Sequence, residues 1–420
     1  MDERAGLRRR LVHLGLHKTN AAPQAPRPPA RQASLPPGDE ILTPHGTAFR
    51  IQTNYPRDHQ HGFGQLADVL AFSPSLAAEI GGNRALEAHP LERLVYLDTE
   101  TTGLAGGAGT LVFLVGIGTF EEGSFRLHQY FLRDPAEEAA MLHALDLDLA
   151  GRGGFVTFNG RAFDLPLLDM RFRIGLRKAW TSSAQPNLDL LSPSRRLWRR
   201  LLPDCTLGTI ERSVLGVQRT DDDVPGAWIP EMYLNYLRTG ETSEMARVLY
   251  HNAIDVLSLV GLTAHILERH GRQDLQALQG SEALAVARWH QAAGRAGTAE
   301  DAFRAAVARS ETGVRIEALR HYSQHLRRDG RAAEAIGLWQ EWHALDPADP
   351  SPCLELAKFY EWRAADLLAA QAWANEGLMC LTHWPADWRR KETWQAIEHR
   401  LTRLASKAAR TSAADSPGRS

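Results

Sequence analysis

The stretch "LVYLDTETTG", residues 94–103, decides the fold. It runs apolar into Asp98, Thr99 and Glu100 and then into a polar turn ending at Gly103. Side chains alternate faces along a strand, so Asp98 and Glu100 lie on one side of it, like charges side by side. A strand with that ending needs a positive partner, and the residues around it indicate which kind.

Working outward, the pattern is mixed α and β. "TLVFLVGIGTF" (110–120) is apolar nearly throughout, as a strand buried on both faces would be. "SFRLHQYFL" (124–132) alternates as a further strand, and "GFVTFNG" (154–160) reads as a fourth. Between them "DPAEEAAMLHALDLDLA" (134–150) has Pro near its start, acids in its first turn and helical periodicity. From 163 onward helices dominate, notably "EMARVLYHNAIDVLSLVGLTAHILERH" (244–270). The expected architecture is an α/β mixed sheet flanked by helices. Residues 39–90 carry no clear pattern; there "YPRDHQHGFG" offers His59 and His61, which lack a nearby third metal ligand and read as a turn with imidazoles satisfied by backbone groups.

Two further segments continue the acidic theme. "NGRAFD" puts Asn159 at a strand end and Asp164 at a helix start, and "YHNAID" puts Asp255 in a helix with His251 one turn earlier on the same face. If Asp98, Glu100, Asp164 and Asp255 converge, they repel one another and raise each other's pKa. Divalent cations reverse that logic. Two Mg²⁺ or Mn²⁺ ions about 4 Å apart would activate water and stabilise the leaving oxygen of a phosphodiester, and an all-oxygen ligand set suits those ions over Zn²⁺.

The rest of the chain frames this unit. At 420 residues two or three domains are expected; net charge is -2 and names no partner. Residues 1–38 carry net +5, and "AAPQAPRPPARQASLPP" reads as a disordered Pro-rich linker. The α/β unit is expected over 39–272. Past 280, Gly294 and Gly330 are 36 apart, as are Ala299 and Ala335, the period of stacked helix pairs resembling tetratricopeptide-type repeats over 280–405. Residues 406–420 read as a disordered tail. The three cysteines, Cys205, Cys353 and Cys380, are far apart and show no framework spacing. With no signal peptide and no apolar run long enough for a bilayer, the expectation is a cytoplasmic protein with idle thiols and no membrane partner.

"DTETTGL", "NGRAFD" and "HNAID" resemble the three exonuclease motifs of the DEDD (DnaQ-like) 3′–5′ exonucleases, which have a ribonuclease H-like fold. "HPLERLVYLDTETTGLAGGAGT", "DVPGAWIPEMYLNYLRTG" and the helical tail resemble the bacterial YprB-like subgroup. By this resemblance Asp98 would bridge both metals, Glu100 and Asp255 would complete the first site, and Asp164 would serve the second. The main branches of the superfamily place a His five residues before the last Asp or a Tyr four before it. Here Tyr250 is five before Asp255 and His251 four before. Either could orient or deprotonate the attacking water; His has the better-suited pKa and shares a helix face with Asp255. Thr101, Thr102 and Leu104 would contact the terminal nucleotide.

Asn159 could bind phosphate or hold its own turn, and Asp189 reads as a strand end. Residues 171–200 carry net +7, and in "SPSRRLWRR" Arg195 with Arg199 and Arg196 with Arg200 form a basic stripe suited to a nucleic-acid backbone. Trp198 could stack a base or sit in the core. Two functions follow: a metal-dependent nuclease acting on a single-stranded end, or a non-catalytic adaptor that binds nucleic acid and recruits a protein through its helical repeats.

Overall fold

The computed structural model describes residues 35–103, 109–272 and 274–414. Among them, seven strands form one sheet: β1 (Asp39–Thr43), β2 (Gly46–Pro56), β3 (Leu94–Thr101), β4 (Val112–Glu121), β5 (Ser124–Phe131), β6 (Gly154–Thr157) and β7 (Asn187–Asp189). Their order is β1-β2-β5-β4-β3-β6-β7, antiparallel from β1 to β3 and parallel from β3 through β6 to β7. The β1–β2 hairpin falls in the stretch that showed no clear pattern. It is an edge pair whose "GTAFRIQTNYP" buries only Ala48, Phe49 and Ile51, so the apolar alternation is diluted.

Helices cover both faces. The first ones are α1 (Pro74–Gly81), α2 (Glu138–Leu149), α3 (Asp164–Gly175), α4 (Leu191–Trp198), α5 (Leu207–Ile210), α6 (Ile229–Thr239) and α7 (Ser243–Gly271). Alternation along β3 sorts the core. Val95 and Leu97 pack with Leu142 and Leu145 of α2 and Phe172 of α3. Leu94 and Tyr96 face the other way, with Val256 and Val260 of α7. Asp98 and Glu100 continue this second row and so point toward α7. The long helix can lie close to the sheet because Gly116 and Gly118 face it: a Cβ at Gly116 would sit 2.3 Å from Asn252 Oδ1, and one at Gly118 2.8 Å from Val256 Cγ1.

A helical region follows: α8 (Gly280–Ala292), α9 (Ala296–Arg309), α10 (Thr312–Arg328), α11 (Ile336–Leu345), α12 (Ser351–Trp362), α13 (Leu367–Cys380) and α14 (Trp388–Ala414). One apolar core runs from Leu257 of α7 through Leu284, Phe303 and Trp339, so the sheet domain and these helices are packed together. Polar contacts reinforce the junction: Trp198 Nε1 donates to Glu282 (2.9 Å), and Arg295 and His270 both reach Glu79. Helix α14 extends to Ala414, past position 406 where the sequence reading begins a disordered tail. "SKAARTSAA" contains no Gly or Pro to stop it, and Lys407 Nζ is held by Glu361 of α12 at 2.8 Å. Among the described residues no helix is long and apolar enough to cross a membrane. Residues 1–34, with the basic Pro-rich segment, lie outside the described residues.

Candidate active site

Strand β3, the start of α3 and the middle of α7 meet at one place. Asp98 and Glu100 enter from β3, Asp164 from the first turn of α3, and His251, Asn252 and Asp255 from α7. Thr99, on the opposite side of β3 from Asp98, donates its hydroxyl to Asp164, which ties the helix start to the strand. Asn252 Nδ2 donates to Asp98 Oδ2 at 2.8 Å. Its own amide is fixed by Gln129 of β5, whose Nε2 donates to Asn252 Oδ1 (2.9 Å) and to the Leu249 carbonyl (2.8 Å). The buried relay Gln129–Asn252–Asp98 therefore sets the angle of the carboxylate, and it fits only because residue 116 is Gly.

Electrostatically the cluster is under tension. Burial, with the charges of Asp255, Glu100 and Asp164, pushes the Asp98 carboxyl well above its usual value against the pull of Asn252. Burial and the Asp255 and Asp164 charges do the same to Glu100. Asp164 is pushed up to about 6 by burial, even with the Thr99 hydrogen bond opposing it. Burial also raises Asp255, outweighing His251 and Arg219.

Arg219 is the guanidinium within this cluster, and nothing in its sequence context marks it. It lies in the loop after a π-helical turn, Glu211–Leu215, that buries Glu211. Nε and Nη2 of Arg219 each donate to Glu211 at 2.7 Å, and Nη2 also donates to Asp255. Nη1 lies 3.3 Å from Asp223 Oδ1 and 3.0 Å from His251 Nδ1. Burial pulls the pKa of this guanidinium down, but Glu211 and Asp255 outweigh it and hold it above its usual value.

Asp223 is the second residue that the sequence reading missed. Its Oδ1 lies 2.7 Å from His251 Nδ1. If Nδ1 donates its proton there, rather than accepting from Arg219 Nη1, the Nε2 lone pair faces the acids, 3.5 Å from Asp255 and 3.8 Å from Glu100. Asp223 itself stays below its usual value: burial raises it, but the bond to His251 and the Arg219 charge prevail. Tyr250 points elsewhere, its hydroxyl accepting from the Thr220 N–H at 3.2 Å.

The donor set fits a hard divalent cation. Glu100, His251 and Asp255 each offer a ligand atom within 4.8 Å of the others, with Asp98 and Asp164 adjoining. Arg219 bonds Asp255, and further positive charge would return the raised groups to their ionised forms.

Other expected contacts fall out differently. Thr101 Oγ1 donates to the Gly103 carbonyl (2.9 Å) and Thr102 Oγ1 accepts from the Leu111 N–H (2.9 Å), so both hydroxyls brace the β3–β4 connection. Leu104 lies outside the described residues. Asn159 is exposed with φ +65°, its N–H donating to Asp189, which also accepts from the Arg161 and Leu191 N–H groups. Asp189 thus pins the turn that carries Asn159. Asn159, Arg161, Arg195, Arg196, Arg199 and Arg200 line one open groove beside α8. The stripe is not wholly free for a ligand: Arg200 pairs with Glu317, and the Arg196 guanidinium sits 5.1 Å from the centre of the Trp289 ring. Trp198 is buried, a core residue at the junction with α8. His61 is bonded not by backbone but by the Ser258 hydroxyl (2.8 Å), and its ring is driven down to about 4 by burial. His59 packs on Tyr55.

Residues 95–267 match the family profile described as the RNase H superfamily. A protein of Bacillus subtilis (strain 168) carrying the name uncharacterized protein YprB is 29% identical over 371 residues, with 84% of each chain covered. The mixed seven-stranded sheet with its flanking helices is a ribonuclease H-like domain, and a helical region follows it.

Proposed function

We propose that the chain is a metal-dependent nuclease, a 3′–5′ exonuclease of DEDD type. The observation that carries this reading is the meeting of Asp98, Glu100, Asp164 and Asp255, from three distant segments, at one place. Those four carboxylates would hold two Mg²⁺ or Mn²⁺ ions, which when bound supply an activated water and a stabilised leaving oxygen. His251 takes the water's proton at Nε2, and Asp223 holds the ring by Nδ1, the division of labour expected of a general base and its orienting acid. Asn252 and Gln129 keep the Asp98 carboxylate in place. A nucleic-acid backbone would run along the groove of Arg161, Arg195 and Arg199, with Asn159 at its edge. The helices after 280, read as tetratricopeptide-like, would dock a protein partner.

The test is degradation of end-labelled single-stranded DNA and RNA with Mg²⁺ or Mn²⁺, linear against circular. Loss of linear substrate from its 3′ end, abolished in Asp98→Ala, is the expected result. No degradation of any substrate, or equal degradation by the variant, refutes it.

One observation favours a second reading, a non-catalytic nucleic-acid-binding adaptor: Arg219 bonds Asp255 and so competes with an incoming cation. Ions that bind only the folded state raise Tm by mass action. A Mn²⁺-dependent rise that Asp98→Ala loses favours the nuclease; a flat response favours the adaptor.

A further inference from the structure

Two of the three cysteines, 27 residues apart in sequence, meet in the helical region. Cys353 of α12 and Cys380, the last residue of α13, have their sulfurs 4.0 Å apart, and His343 Nδ1 of α11 lies 3.4 Å from Cys353 Sγ. Both cysteines are buried, 0% and 2% exposed, and the His343 side chain sits at the rim, 18% exposed. The three ligand atoms all lie within 4.8 Å of one another.

We propose that His343, Cys353 and Cys380 form a binding site for a thiophilic divalent cation of the zinc class, separate from the acidic cluster on β3. The Cys353–Cys380 and Cys353–His343 spacings are close to those of such an ion. Zinc bonds of about 2.3 Å to sulfur and about 2.0 Å to nitrogen, at tetrahedral angles, separate two sulfurs by roughly 3.8 Å and sulfur from nitrogen by roughly 3.5 Å. The imidazole is also aimed. Its Nε2 is 3.3 Å from Glu376 Oε1, so Nε2 carries the proton and Nδ1 presents its lone pair toward Cys353, the carboxylate–histidine–metal arrangement. The Trp373 ring packs edge-on to the imidazole at 5.9 Å and fixes its plane. On binding, each thiol would release its proton to solvent and ligate as thiolate, and a solvent water would fill the fourth position, which the partly exposed His343 leaves open. Soft sulfur ligands distinguish this site from the oxygen-rich acids on β3. The other histidine cluster, Glu79–His270–His290, already holds the Arg295 guanidinium and has no room for more positive charge.

The consequence is a staple joining three successive helices. The test uses the full chain purified under reductant and loaded with Zn²⁺, its metal content measured against protein. Wild type should hold one zinc per chain more than Cys353→Ser/Cys380→Ser, and zinc should raise the Tm of wild type by more than that of the double variant. Should the double variant not fold, Co²⁺ on wild type decides. Sulfur-to-cobalt charge-transfer absorption in the near ultraviolet, together with the visible bands of a four-coordinate ion, supports the site, since the acidic cluster holds no sulfur. Equal zinc in both proteins, a Co²⁺ spectrum without the charge-transfer band, or a mass two hydrogens light from a Cys353–Cys380 disulfide would overturn it.

Discussion

Arg219→Met is the perturbation that bears most directly on how the acidic site holds together. The guanidinium satisfies both oxygens of Glu211, whose side chain is 1% exposed, and it also pairs with Asp255 at 14% exposure. Removing one partner of a buried ion pair leaves an uncompensated charge and costs about 3–5 kcal/mol. For a domain the size of residues 39–272 that corresponds to a Tm lower by roughly 6–20 °C. Glu211→Leu added to Arg219→Met removes the stranded charge as well, and an apolar pair of similar volume is often neutral. The double variant should therefore regain at least half of the loss. Chemical denaturation of wild type, both single variants and the double variant, without metal, gives the four corners of the cycle. Since Arg219 contests Asp255, Mn²⁺ should raise the Tm of Arg219→Met by more than it raises that of wild type. A loss below about 1 kcal/mol in Arg219→Met, or single effects that simply add, would refute the reasoning, because contacting residues couple by at least about 0.5 kcal/mol.

Three further outcomes follow from named contacts. Asp223→Asn leaves the ring of His251 without its carboxylate partner; since positioned general bases contribute about 10²–10⁴-fold, kcat on end-labelled substrate should fall within that range with KM little changed. Gly116→Ala would drive a methyl to 2.3 Å from Asn252 Oδ1; overpacking of this kind costs about 1–3 kcal/mol, visible as a lower Tm and, with Asp98 released, a weaker Mn²⁺ response. Glu361 lies under α14, taking Arg400, Arg403 and Lys407 on one fully buried carboxylate. Burial pulls it upward, but Arg403 and Lys407 hold it at about 2 against an ordinary 4.5. Its contribution is complete above 4.5 and is lost as pH falls through about 2. Limited proteolysis in that window should release α14 from wild type, whereas Glu361→Gln should be cut within α14 already at neutral pH.

Which parts were legible follows from how local the signal is. Alternation along β3 already put Asp98 and Glu100 on one face, and a single helical turn put His251 beside Asp255; periodicity of 2 and 3.6 suffices for both. The glycines of "VGIG" were readable only as part of an apolar run, yet their spacing is what lets α7 approach the sheet. Arg219 and Asp223 sit in "GVQRTDDDVPGAW", a polar loop whose course is set by the π-helical turn and by contacts to α7. No periodicity points such side chains anywhere, so their roles emerge only in three dimensions. The arginines at 195–200 were legible as a basic stripe, but their division between groove and interdomain contacts depends on where α8 and α10 pack, through Trp289 and Glu317. Cys353 and Cys380 looked idle for the same reason: the stacking of α12 on α13, not their spacing, brings their sulfurs together.

The central claim is that Asp98, Glu100, Asp164 and Asp255 form a cation site. A Mn²⁺ titration of the full-length protein, with free ion counted by its paramagnetic resonance signal, tests it most directly. Two ions bound per chain in wild type, with both lost in Asp98→Ala, is the result this account predicts. No specific uptake, or the same uptake by the variant, would contradict it.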